Sequence, residues 1–495
     1  MESFNLLAQG FAVALTPTGL LSIFMGVLIG QIVGALPGLG PAAGMALLLP
    51  VTFGMDPNAA VMMLAGILYG GMYGGTITSV LINVPGESSS VMAAIDGHQL
   101  ARRGRAGAAL AVAAIGSFFA GVVGTIALAF AAVGLSAIAL KFNAPEFFLL
   151  AVLGIIATAS LGTGSPTKAL LMGAVGLAIG AVGTDPISGN ARLTFGNSYL
   201  VDGFDFLPVA IGLFGIAEVL VSLEKVHAEK PITTKLRDMW MTSAEWAQSR
   251  MAVLRGSTIG FVVGLMPGAG ATVAAFLAYV VERRFSRNPE MFGKGALDGV
   301  AASESANNSS VTGALAPMLA LGIPGSTGTA VLLAALVLQG IRPGPTLMAD
   351  QPILVWSLIA SMFIGNVILL IMNLPLAPLF AALLRVPYVL LAPAILVFSL
   401  VGAYAATMSF VTMVVAMGFG IVGYLMIKAD LPRAPLVLAL VLAPLLEESL
   451  RQSLLLSLGS PMIFVERPFA LALLITVIVF LAMPFVLRRF SKAGA

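Results

Sequence analysis

Residues 295–329 read "GALDGVAASESANNSSVTGALAPMLALGIPGSTGT" and place Glu304, Asn307 and Asn308 within about one helical turn of each other, ahead of an apolar run. An ionisable side chain at membrane depth is costly and marks an ion or proton path by default. A carboxylate beside two Asn side chains and freed carbonyls suits Na+, or a proton on Glu304, as a coupling cation. A Glu that caps a helix at the interface is the plainer alternative. The second chemical signal is a set of Pro-Gly interruptions. "VGALPGLGPAAG" at 33–44 is echoed by "VGLMPGAGATVA" at 263–274, with Gly34/Gly264, Pro37/Pro267, Gly38/Gly268 and Gly40/Gly270 at one offset. "LINVPGESSS" at 81–90 is followed in the same order by "LALGIPGSTG" at 319–328. Each break opens a helix N-terminus with free N–H donors and partial positive charge, which attracts an anion without Lys or Arg. The candidate substrate-binding residues are Gly38, Gly40, Tyr73, Gly75, Asn83, Pro85, Gly86 and Ser88 in the first half. In the second half they are Gly268, Gly270, Pro324, Gly325 and Ser326. Packing notches and kinks are the alternative use of Gly and Pro in membrane helices.

The elements that must hold these residues are membrane helices. Of 495 residues, 59% are hydrophobic and only 9% charged, against about 25% charged in soluble domains. Apolar segments lie at 8–34, 41–54, 59–84, 107–140, 145–162, 168–185, 204–223, 252–265, 271–281, 296–322, 328–341, 352–382, 387–404, 406–427, 434–450 and 468–487. Several are shorter than the roughly 20 residues that a span needs. The expected fold is an all-α integral membrane protein of about 11–14 transmembrane or re-entrant helices. It is expected to form two inverted-topology repeats with discontinuous helices. The expected organisation is a first repeat over 1–224, a cytoplasmic linker over 225–255 and a second repeat over 256–495. Backbone broken at this depth must line a cavity or be buried in protein, because lipid cannot satisfy it. Inverted repeats with broken helices are the architecture of secondary transporters.

Loop charges give the sidedness. Lys and Arg favour cytoplasmic loops. They cluster at Arg102/Arg103/Arg105, in 225–255, at Arg283/Arg284/Arg287/Lys294, at Arg385, at Lys428/Arg433 and at Arg488/Arg489/Lys492. "FGMDPN" (53–58) after the first hairpin has no basic residue, whereas "ERRFSRNPEMFGKG" (282–295) after the second has four. Equivalent loops are therefore expected on opposite sides. Asp185, Asp202 and Asp205 flank an outer loop at 186–203 that reads as a docking or gating surface. Zero Cys and two His exclude disulfides, thiolate chemistry and a His metal cluster. No Walker loop is present. The N-terminus lacks a basic n-region and a clear cleavage site, so it reads as retained.

The motifs "GALPGLGP", "YGGMYGGTITSVLINVPGESSSV", "DGHQLARRGRAG", "VGLMPGAGATVAAF", "FGKGALDGVAASESANNSSVTG", "LALGIPGSTGTAVLLAAL" and "GIRPGPTL" occur in order over about residues 30–350. With them the chain resembles the large membrane subunit of tripartite tricarboxylate transporters, the TctA-type family. His98, where Tyr is more usual, and Ser309/Ser310, which replace an alanine pair, are departures. The resemblance implies a multi-pass protein of a bacterial inner membrane that imports citrate or another tri-, di- or aromatic carboxylate by symport with Na+ or H+. It implies a small membrane subunit and a periplasmic solute-binding protein as partners. It implies no cofactor beyond a coupling Na+, and no catalysis. A stand-alone transporter or an anion channel is the rival reading. Single-cysteine tags at 54–58 and at 284–294 are predicted to be labelled from opposite faces of oriented vesicles; labelling from one face contradicts the inversion.

Overall fold

The computed structural model describes residues 2–36, 40–161, 165–185, 188–224, 239–383 and 388–493. The first stretch contains α1 (Glu2–Ala14), α2 (Pro17–Ala35), α3 (Pro41–Leu48), α4 (Pro57–Ile82), α5 (Val91–Arg102) and α6 (Ala106–Ala139). Then come α7 (Ala144–Leu161), α8 (Pro166–Gly180), α9 (Phe206–Ala210) and α10 (Ala217–Glu224), the last two joined by a π-helical segment, Ile211–Ile216. The second half begins with α11 (Ser243–Gly264), α12 (Gly270–Phe285), α13 (Leu297–Leu321), α14 (Thr327–Leu338), α15 (Leu347–Asp350) and α16 (Pro352–Asn373). It closes with α17 (Ala377–Leu383), α18 (Tyr388–Thr407), α19 (Phe410–Lys428), α20 (Arg433–Leu456), α21 (Ile463–Glu466) and α22 (Pro468–Ala493). Among the described residues, six helices are long and apolar enough to cross a membrane: Pro17–Ala35, Pro57–Ile82, Ala106–Ala139, Phe206–Glu224, Pro352–Asn373 and Phe410–Lys428. The chain is thus an all-α membrane protein, with one small departure. The segment read as apolar to residue 185 ends its helix at Gly180 and forms an antiparallel pair of two-residue strands, Gly183–Thr184 with Ala191–Arg192. Of the linker expected at 225–255, residues 225–238 lie outside the described residues, and Ser243–Arg255 are the first turns of α11.

The helix starts follow from local chemistry. Thr16 accepts from the Gly19 N–H ahead of Pro17. Asp56 accepts from the Ala59 N–H ahead of Pro57. Thr242 and Glu245 form a reciprocal capping box.

Packing in the two halves repeats residue by residue. Gly26, Gly30 and Gly34 on α2 lie against the carbonyls of Met63, Ile67 and Gly71 on α4; a Cβ there would come within 2.2, 2.6 and 2.1 Å of those oxygens. Gly256, Gly260 and Gly264 on α11 lie against Ala302, Ala306 and Ser310 on α13, at 2.4, 2.4 and 2.3 Å. Spacing of four puts the three glycines of each set on one helix face, and lack of a side chain lets the backbones touch. The first long helix beyond the second break of each half also crosses over: α6 packs on α13, and α16 packs on α4.

Ion pairs join loops that are distant in sequence. One set comprises Arg105–Glu245, Arg255–Glu282, Lys168–Asp430 and Lys428–Glu224. The other holds the Asp185–Arg192–Glu447–Arg451 network and Arg467–Glu146. Pairing with Glu447 raises the Arg192 guanidinium pKa above its ordinary value.

Gly30→Leu and Gly260→Leu are expected to cost about 1–3 kcal/mol each by overpacking, seen as a lower Tm in detergent. Gly134, with open space around its Cβ position, is the control: Gly134→Ala should leave Tm unchanged or raise it slightly.

Candidate functional site

All four interruptions meet at one place. A cavity of about 470 Å³ is lined by Gly40 and Pro41, by Pro85 to Ser89, by Gly268 and Gly270 to Thr272, and by Ser326 to Gly328. The starts of α3, of the short turn leading into α5, of α12 and of α14 are therefore all at its wall. A helix start leaves N–H groups without intrahelical acceptors, so the wall is rich in donors and partial positive charge.

The second break of each half is built to one plan. α4 ends on Asn83 with φ 55° and ψ 26°; α13 ends on Gly322 with φ 72° and ψ 21°. Both are left-handed terminators, the conformation that Gly and Asn adopt most readily. A Pro-Gly pair follows, at Pro85–Gly86 and Pro324–Gly325. A reciprocal capping box then starts the next turn, Glu87 with Ser90 and Ser326 with Thr329. Gly86 lies over the Gly34 carbonyl and Gly325 over the Gly264 carbonyl; a Cβ would come within 2.1 and 3.1 Å of those oxygens. In the first break of the second half, Gly268 has φ 80° and its missing Cβ would fall 2.2 Å from Thr158 Oγ1, so only Gly fits. Its N–H donates to the Gly325 carbonyl at 3.1 Å, tying the two breaks of that half together. Ser88 Oγ and Thr272 Oγ1, from opposite halves, are 2.8 Å apart.

Of the expected substrate-binding residues, Gly40, Pro85, Gly86, Ser88, Gly268, Gly270 and Ser326 line the cavity. Pro324 and Gly325 are buried directly behind Ser326. Three others do other work. Asn83 is exposed and terminates α4. Tyr73 is buried and donates to Asn366 Oδ1 at 3.1 Å. Gly75 makes room for its neighbours, since a Cβ there would stand 3.2 Å from Glu87 Cγ. Gly38 lies outside the described residues.

Behind the cavity wall is a polar cluster on α13. Glu304 is fully buried, and Asn307 and Asn308 are 0% and 4% exposed, so Glu304 is not an interfacial cap. Thr76 Oγ1 donates to Glu304 Oε2 at 2.5 Å. Asn308 Nδ2 donates to Ser117 Oγ at 2.7 Å and to the Glu304 carbonyl at 3.1 Å. Asn307 Nδ2 donates to Glu87 Oε1 at 3.2 Å. Among the described residues, no donor reaches three buried acceptors here: Glu304 Oε1, Asn307 Oδ1 and Asn308 Oδ1. An unsatisfied buried polar group costs about 1–3 kcal/mol, and a set of oxygen acceptors is what a hard monovalent cation or a proton satisfies. The glycines of α6 give this cluster its space. A Cβ on Gly116 would meet Ser305 Oγ at 2.8 Å, and one on Gly124 would meet Thr312 Oγ1 at 2.2 Å.

Sequence reasoning passed over Glu87, Glu218 and Arg433, the charged side chains among the described residues that line the cavity. Arg433 reads in sequence as one more basic anchor. In the structure it donates to the Leu213 carbonyl in the π-helical segment at 2.7 Å and to Glu218 at 3.1 Å, with its guanidinium over Phe214. Glu87 stands in the quoted "VPGESSS", where a carboxylate inside a break was itself the signal.

A model of the family described as "Tripartite tricarboxylate transporter TctA family" matches residues 20–438. Two proteins of Agrobacterium vitis are similar. "Uncharacterized 52.8 kDa protein in TAR-I ttuC' 3'region" is 44% identical over 474 residues, 96% of this chain and 94% of its own length. "Uncharacterized protein in TAR-II ttuC' 3'region" is 44% identical over 215 residues, 43% of this chain and 89% of its own length. No solved structure matches the chain.

The natural sequence has no Cys, so introduced pairs report on geometry without background. Ser88→Cys with Thr272→Cys is expected to cross-link on mild oxidation and to be protected by any ligand that fills the cavity. Failure to cross-link in folded protein contradicts the meeting of the two halves at this wall.

Proposed function

The chain belongs to the tripartite tricarboxylate transporter TctA family, and from that premise we propose that it is the large membrane subunit of a secondary importer of an organic carboxylate. The observation that carries the reading is the convergence of four helix starts on one cavity. A carboxylate there receives backbone N–H donors and the positive ends of the helices, with Ser88 and Ser326 hydroxyls beside it. The family implies a periplasmic binding protein that delivers the anion and a small membrane subunit alongside, in a bacterial inner membrane.

In this reading the coupling cation, Na+ or H+, sits at Glu304 with Asn307 and Asn308. The three unpartnered oxygens support it. A proton on Glu304 supplies a donor; a Na+ takes the oxygens as ligands.

The two halves work as inverted repeats, and reciprocal contacts support this. Asp96, in the middle of α5, accepts from the N–H groups of Gly293, Gly295 and Ala296 in the loop after the second hairpin, at 2.8, 2.7 and 2.9 Å. Gln339, at the end of α14, donates to the Thr52 carbonyl in the loop after the first hairpin at 3.0 Å. Each half thus clasps the hairpin loop of the other. The loop held by Asp96 is in the basic region and the loop held by Gln339 is not. Rocking of one half against the other then exposes the cavity alternately.

Uptake into proteoliposomes with the cognate binding protein, over a panel of citrate, succinate and benzoate under separate Na+ and pH gradients, tests the reading. Saturable accumulation against the substrate gradient is expected; uptake that only equilibrates indicates a channel. Glu304→Gln is expected to abolish gradient-driven accumulation while folded protein stays in the membrane. Normal accumulation by this variant removes Glu304 from the mechanism.

A further inference from the structure

We propose that Glu87 is the charge that makes the anion seat depend on the cation, and that Asn307 carries the dependence between the two sites. The inference rests on the symport reading above and adds the link that coupling requires.

Glu87 is not needed where it stands for capping alone. Ser, Thr, Asp and Asn are the preferred N-cap residues, and the matching position of the second half is Ser326, which closes the same capping box with a hydroxyl. The negative charge at 87 is therefore additional to the structural task. It also has dedicated space: Gly75, which lies under the Glu87 stem, stands where Ala314 stands in the second half.

The position of that charge is adverse to the proposed substrate. Glu87 lines the cavity in which the carboxylate is to sit, and like charges at close range in a poorly solvated site repel strongly. An ionised Glu87 also occupies the helix start that the substrate would use. An importer with this residue binds its anion well only when Glu87 is neutralised.

The neutralising influence has a route. Asn307 Nδ2 holds Glu87 Oε1, while Asn307 Oδ1 is one of the unpartnered buried acceptors. Glu304 is three residues earlier on the same helix face. One amide thus touches the cavity carboxylate with one end and belongs to the cation cluster with the other. A cation or proton entering that cluster brings positive charge next to both carboxylates, and the anion seat becomes favourable. By linkage, the substrate must then tighten the cation by the same factor.

The test uses the purified full-length chain and those members of the citrate, succinate and benzoate panel that the wild type accumulates. Affinity is measured with Na+ present and with Na+ replaced by choline, each at acid and alkaline pH. The wild type is expected to bind about tenfold or more tightly with its cation, an ordinary size for coupling between sites. Glu87→Ser, which copies the cap of the second half, should keep its Tm. Its affinity should change by less than about twofold between conditions, and gradient-driven accumulation should be lost. Glu87→Gln gives the same readout if the serine variant is poorly folded. Asn307→Ala should also lose the cation dependence of substrate affinity while Glu87 is still present. A Glu87→Ser protein whose affinity responds to the cation as the wild type does overturns the assignment and leaves the symport reading standing. A wild type indifferent to both Na+ and pH overturns the symport reading, and this link with it.

Discussion

Backbone contact between α2 and α4, and between α11 and α13, fixes where the chain can break. With Gly26, Gly30 and Gly34 on one pair and Gly256, Gly260 and Gly264 on the other, no side chain separates the helices, and each glycine face meets carbonyl groups directly. The third glycine of each set is the end of the ladder, and it is there that the Pro-Gly loop of the same half folds back over the helix end, Gly86 above Gly34 and Gly325 above Gly264. The ladders therefore do more than hold helices together. They bring the first and second breaks of a half to one level, so that two helix starts rather than one open on the same space. Crossing of α6 onto α13 and of α16 onto α4 then brings the halves together, and the donor-rich ends of all four short helices share a wall.

On the proposed reading, that geometry lets an apolar chain offer an anion a seat with few cations. A Lys or Arg at membrane depth is expensive, whereas freed N–H groups are already there once the helix is interrupted. Their cost is contained because the loops are held by αL terminators, capping boxes and the Gly268–Gly325 bond. Arg433 is present at the wall, but bound to Glu218 and to a carbonyl of the π-helical segment.

Much of this was legible in sequence, for physical reasons. Pro and Gly act on the backbone locally, so the break positions and their pairing could be read from single residues such as Pro85 and Pro324. Glu304 was legible as a candidate because a carboxylate next to an apolar run is costly, but its burial was not, since an interfacial cap fits the same sequence. What could not be read was which side chains the breaks bring face to face. Tyr73 lies on the same glycine-rich helix as the cavity residues but turns to Asn366, a partner nearly three hundred positions away. Asn83 looked like a ligand because amides often are, yet its use is conformational: φ of 55° is a state Asn tolerates and most residues avoid. Arg433 obeyed the loop-charge rule and so hid its second property, a place in the cavity wall.

The departure from symmetry is as informative as the symmetry. Duplicated backbone plans supply a cage whose two halves are nearly equivalent, and on the proposed reading such a cage by itself favours neither side for its anion. Direction and energy coupling need something that one half has and the other lacks. The glycine ladders, terminators and capping boxes are shared; Glu304 falls where the first half has Ala65, and Glu87 falls where the second half has Ser326. Both unshared carboxylates end on the two sides of Asn307, one buried among unpartnered oxygens and the other at the cavity wall. The asymmetric residues thus form a single connected group inside an otherwise repeated scaffold, and that is the place where the proposed coupling puts its cation-dependent step.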